Sequence, residues 1–81
     1  MPGSAPQTLR EAIATATATL KQAGIDNPRL DARVLVAHVL ETDTAQTFLR
    51  NDMLLTAPQE HALEQYIQRR LAREPVSRIL G

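Results

Sequence analysis

The stretch from Asn27 to Glu41, NPRLDARVLVAHVLE, decides the architecture. Asn27 is a residue type that suits the N-cap, and Pro28 suits the first helical position, where its φ is already set and no N–H is needed. Leu30, Val34, Leu35, Val36, Ala37, Val39 and Leu40 then cover most of a helix circumference. Such a helix is expected at the centre of the fold, contacted on several sides. Its polar positions are Arg29, Asp31, Arg33 and His38. Asp31, in the first turn, suits the positive end of the helix dipole and is placed to reach an arginine of a later helix.

On the N-terminal side, Thr8 and Glu11 make a capping box, in which each side chain satisfies a backbone N–H that the first turn leaves unpaired. Leu9, Ile13, Ala16 and Leu20 follow at helical spacing, and Gly24 is placed to end this helix with a positive φ. Residues 1–7, with two prolines, a glycine and a serine, have no periodicity and are expected to be a disordered lead.

On the C-terminal side, Asp43 or Thr44 caps a predicted two-turn helix containing Ala45, Phe48 and Leu49. Met53 to Leu55 reads as an apolar connection folded onto the core. Thr56 and Gln59 form a second capping box, with Pro58 in the first turn, and Leu63, Tyr66, Ile67, Arg70 and Leu71 mark the inward face of a long last helix. Pro75 stops it, because the residue before a proline is pushed out of the α region. Val76 to Gly81 is an apolar tail, expected to begin a linker in a chain that continues. The fold class is therefore all-α: a small bundle of four to five helices over residues 8–74, antiparallel neighbours joined by short connections.

Eighty-one residues suit one domain with one core, of total stability about 4 to 12 kcal/mol. Only Phe48 and Tyr66 are aromatic, so aliphatic side chains and alanine must fill that core. With no cysteine there is no disulfide, thiolate metal site or nucleophilic thiol, which suits a cytoplasmic location. No apolar run approaches the ~18 residues that span a membrane. Net charge is +0, which argues against general nucleic-acid binding. Its distribution is uneven: residues 1–64 carry five basic and eight acidic side chains, net −3, whereas residues 65–81 carry Arg69, Arg70, Arg73 and Arg78 against Glu74, net +3.

Catalytic chemistry has little to stand on. His38 with Glu41, and His61 with Glu60 and Glu64, share helix faces, but there is no HExxH spacing and no third ligand, so both histidines read as structural or solvated. Gly3, Gly24 and Gly81 are too far apart for a phosphate loop, and Ser4 and Ser77 have no local histidine. No catalytic, cofactor or metal residue is assigned. Arg69, Arg73 and Arg78 are the candidate docking residues, since guanidinium groups bind carboxylates in fixed planar geometry. Asp31, Arg70 and Pro75 are assigned structural roles, with Arg70 on the inward face and placed to pair with Asp31.

Asn27–Glu41 and the segment RRLAREPVSRILG, Arg69 to Gly81, resemble the N-terminal domain of HemK/PrmC-type enzymes, the protein-(glutamine-N5) methyltransferases of bacterial peptide-chain release factors. The resemblance covers Thr8 to Gly81 and includes the order of an LREAI helix, an LDA helix, a short middle helix, then RR, EPV and ILG. It implies a substrate-recognition domain that, in its parent, precedes an S-adenosylmethionine-binding catalytic domain with an Asn-Pro-Pro-Tyr motif absent from this chain. The implied partners are a release factor, whose Gly-Gly-Gln glutamine the parent methylates during its service to translation termination, and the parent's own catalytic domain. Direct nucleic-acid and membrane contacts are not expected. A freestanding helical adaptor whose arginine-rich end binds an acidic protein is the alternative, and a helix-turn-helix nucleic-acid binder is disfavoured by zero net charge and the lack of a basic recognition helix.

Overall fold

A computed structural model describes residues 7–50 and 52–81, and its helices are α1 (Leu9–Gln22), α2 (Pro28–Val39), α3 (Thr44–Leu49), α4 (Ala57–Leu71) and α5 (Val76–Leu80). The chain is all-α, with α2 packed against each of the other four helices. Of the lead expected over residues 1–7, residues 1–6 lie outside the described residues. Gln7 is held on both sides: its N–H donates to Glu60 Oε2 at 3.0 Å and its carbonyl accepts from Leu55 N at 2.9 Å.

Both capping boxes form. Thr8 Oγ1 accepts from Glu11 N while Glu11 Oε1 accepts from Thr8 N, and Thr56 and Gln59 repeat the arrangement at α4. The core gathers Leu9, Ala12, Ile13, Ala16 and Leu20 of α1, Ala32, Leu35 and Val36 of α2, with Leu55, Leu63 and Ile79. Alanines at the facing positions of α1 and α2 let these two helices pack closely, which is how a chain with two aromatics fills its interior.

Asn27 occupies the N-cap position but in a way the sequence did not foretell. It sits at φ 52°, ψ 51°, and its side chain makes no capping hydrogen bond. The chain must reverse between α1 and α2 while burying Ile25 on the way, and asparagine tolerates the left-handed backbone that this turn uses.

Each of the three long helices ends in a Schellman motif. Gly24 (φ 79°), Glu41 (φ 58°) and Arg73 (φ 71°) occupy the left-handed position. Ile25 N donates to Leu20 O, Thr42 N to Ala37 O and Glu74 N to Arg69 O, closing the wide loop in each case. Only Gly24 announces its motif by residue type.

One expectation needs correction, at residues 53–55, and two further segments show detail that the sequence leaves open. In α3 it is Thr47 that is fully buried, its hydroxyl satisfied by Thr44 O at 2.6 Å, while Phe48 and Leu49 are 54% and 79% exposed. A six-residue helix with its N-cap at Asp43 has room for one inward side chain near α2, and the small Thr47 takes it. The 53–55 connection is only half folded onto the core: Leu55 is buried, whereas Met53 and Leu54 face out. This segment is extended and pairs with the start of α1 through Leu9 N to Met53 O and Leu55 N to Gln7 O, both 2.9 Å, so successive side chains alternate in direction. Finally, the 76–81 tail is packed helix. Pro75 N-caps α5, whose Ile79 is 5% exposed in the core against α2 and α4.

Candidate docking surface

The fold gives the four arginines of the C-terminal segment four different positions. Arg69, in the last turn of α4, is turned onto Glu74: its Nε lies 3.2 Å from both carboxylate oxygens and its Nη2 2.8 Å from Oε1. Arg70 points inward, as its spacing predicts. Its Nε donates to Asp31 Oδ2 at 2.9 Å and its Nη1 to Glu74 O at 3.3 Å, with the two paired side chains 19% and 14% exposed. One guanidinium thus joins the start of α2 to the end of α4.

Arg73 takes the strained left-handed position after α4, and its side chain then reaches the end of α1, where Nη2 donates to Ala23 O at 2.7 Å. It supplies a helix-end carbonyl with a charged donor, a favourable match to the negative end of the dipole. Arg78, on α5, is exposed and makes no side-chain hydrogen bond or ion pair among the described residues. Of the three arginines expected to dock a partner, two therefore carry intramolecular contacts and one is free.

Glu74 is the hub of this end of the bundle. The hydrogen bond from Arg69 holds its carboxyl below the usual carboxylate range, with the charges of Arg69 and Arg78 acting in the same direction and partial desolvation opposing them. A carboxyl whose pKa is lower folded than unfolded contributes stability that is present above the unfolded value and is lost as the pH falls through the folded one. Denaturation of the wild-type chain and of Glu74→Gln should accordingly differ near neutral pH and converge in acid. A difference that persists unchanged to low pH would show that the ion pair is not its source.

A second cationic group escaped the count of charges along the chain. Arg10 and Lys21 of α1 and Arg29 and Arg33 of α2 line one groove of about 540 Å³, together with Ala14, Thr17 and Ala18. The other flank of α1, a groove of about 370 Å³ against α4, carries Glu60 and Glu64 instead. The acidic residues spread over the rest of residues 1–64, six of them outside both grooves, outweigh these cations in the sum, which is why the net charge of −3 conceals the groove. The available signal was helical spacing: residues 10, 14, 17, 18 and 21 lie along one stripe, as do 29 and 33. Beyond the groove, the Arg33 guanidinium lies 3.9 Å from the centre of the exposed Phe48 ring. His38 is exposed and meets Tyr66 edge to face at 5.6 Å, a packing contact. Among the described residues no helix is long and apolar enough to cross a membrane.

Comparison with known proteins gives a consistent answer. Residues 11–81 match the family described as PrmC N-terminal domain. The chain is 50% identical over 62 residues to the release factor glutamine methyltransferase of Rhodospirillum rubrum, covering 76% of this chain and 19% of that protein. It is 40% identical over 74 residues to the release factor glutamine methyltransferase of Vibrio cholerae, covering 91% and 26%. A bifunctional methyltransferase of Rickettsia prowazekii is 30% identical over 73 residues, covering 90% and 14%. The chain thus spans about a quarter or less of the curated relatives it matches. No solved structure matches it.

Proposed function

The chain belongs to the PrmC N-terminal domain family, and from that premise we propose that it is the substrate-docking domain of an S-adenosylmethionine-dependent methyltransferase acting on the Gly-Gly-Gln glutamine of a bacterial release factor. The coverage carries this reading: nearly the whole chain matches, yet it makes up only 19% and 26% of two relatives named for the activity. Methyl transfer and cofactor binding belong to the remainder of such an enzyme, and this domain contributes position. An amide nitrogen is a poor nucleophile, so holding the glutamine in line with the methyl donor supplies much of the rate. The setting is cytoplasmic, in the service of translation termination.

Arg69, Arg73 and Arg78 are proposed contacts for the release factor or for the catalytic domain. Arg69 and Arg73 would share their remaining donors with a partner while keeping Glu74 and Ala23. Arg78 is the clean probe, having no such contact to lose. In the two-domain enzyme, Arg78→Ala should raise KM for intact release factor about two- to fivefold, the worth of one exposed ion pair, and leave KM for S-adenosylmethionine unchanged. Unaltered KM for the factor would remove Arg78 from the contact set.

A further inference from the structure

We infer that the groove between α1 and α2 docks an acidic segment of the partner protein, with Arg10, Lys21, Arg29 and Arg33 as its anchors. The inference rests on the docking role proposed above and assigns it a surface.

The first support is that two of the four cations stand where folding alone disfavours them. Arg10 is the second residue of α1 and Arg29 the second of α2. Cations at these positions oppose the positive end of the helix dipole, where Asp and Glu are the favoured residues. Compensation among the described residues is slight. Arg10 approaches Asp52 only at 3.9 Å, with the two side chains 71% and 97% exposed, and the other three groove cations have no ion pair among the described residues. Four positive side chains around one groove also repel one another. An anionic occupant would relieve both conflicts at once, and the two helix N-termini would add to its attraction.

The groove's shape and lining indicate which anion. Arg10 and Lys21 are eleven residues apart on one helix, about 16 Å at ~1.5 Å per residue, a length that suits about three turns of a partner helix rather than a small ion. Ala14 and Ala18 between them keep that stretch low, so a polypeptide backbone can come close. Arg33 is held over the Phe48 ring with Nη1 buried and without an acceptor among the described residues. The exposed Phe48 beside it offers an apolar anchor of the kind that protein interfaces favour. Nucleic acid fits less well: no aromatic side chain lines the groove to stack a base, and the chain as a whole has zero net charge.

The test is the affinity of the chain for intact bacterial release factor, measured by calorimetry for the wild type and for Arg10→Glu/Arg29→Glu. Acidic residues in these first turns suit the dipole, so the double variant should melt no lower than the wild type. It should nevertheless bind the factor at least about tenfold more weakly, and the salt dependence of the wild-type affinity should be largely lost. Arg10→Lys/Arg29→Lys should keep most of the binding. Undiminished binding by the folded charge-reversal variant would overturn the groove assignment and leave the docking role standing. Failure of the wild-type chain to bind any release factor would overturn both. A fluorescent single-stranded RNA bound more tightly than the factor, and lost in the same variant, would overturn the acidic-segment assignment in favour of a phosphate ligand.

Discussion

Leu35→Ala is expected to cost about 2 to 5 kcal/mol of folding stability, the range for truncating a fully buried leucine and the cavity it leaves. Leu35 is 0% exposed in α2, the helix that touches every other one, so the void opens at the point where the packing of the bundle converges. The core around it has little side chain to move into the void, since Ala12 and Ala16 of α1 and Ala32 of α2 in the same buried cluster are already alanines. Against a total of about 4 to 12 kcal/mol, such a loss leaves the chain marginal. Urea unfolding followed by far-ultraviolet circular dichroism measures it directly. A loss below about 1 kcal/mol would mean that α2 is not the centre of the fold.

The second large effect is expected at the Asp31–Arg70 pair. Its side chains are 14% and 19% exposed and 2.9 Å apart, and removing either partner strands a charge that water reaches poorly. A fully buried pair broken in this way costs about 3 to 5 kcal/mol, and the residual exposure here brings Asp31→Ala and Arg70→Ala just below that range, to about 2 to 3 kcal/mol. Arg70→Ala should be the costlier, since it also releases the Glu74 carbonyl. The double variant Asp31→Ala/Arg70→Ala should cost clearly less than the sum of the two singles, because neither charge is left alone. Additive losses in the double-mutant cycle would show that the two side chains act independently.

These two sites also show where sequence was informative. Leu35 and the inward Arg70 follow from helical spacing, and the capping boxes at Thr8 and Thr56 from local chemistry, because both depend on residues three or four apart on one helix. What failed was set by tertiary geometry. Arg73 and Glu41 adopt positive φ without the glycine that normally marks it, and for Arg73 a compensation is visible only in three dimensions, in its hydrogen bond to Ala23 of another helix. Helical spacing placed Ala45, Phe48 and Leu49 on one short helix without saying which side chain faces in, and that is Thr47, while Phe48 and Leu49 stay exposed. The packing of the 76–80 segment was not legible because α5 is only five residues long and depends on α2, far away in sequence, and on a chain reversal after α4.

The candidate site was legible in the same uneven way. The arginine cluster of residues 69–78 stands out in a linear charge count, but the structure commits Arg69 to Glu74 and Arg73 to α1. The α1–α2 groove is the reverse case. Its cations are scattered among acidic residues along the chain and converge only when two helices lie side by side.

The most direct test of the docking account compares two substrates on one enzyme. A methyltransferase carrying this domain, and the same enzyme lacking residues 8–81, should be assayed on intact release factor and on a short peptide containing Gly-Gly-Gln. If the domain supplies position, its deletion should lower kcat/KM for the intact factor by orders of magnitude, as loss of an oriented protein substrate does, while kcat/KM for the peptide and KM for S-adenosylmethionine change little. Equal losses on factor and peptide, or no loss on either, would contradict it.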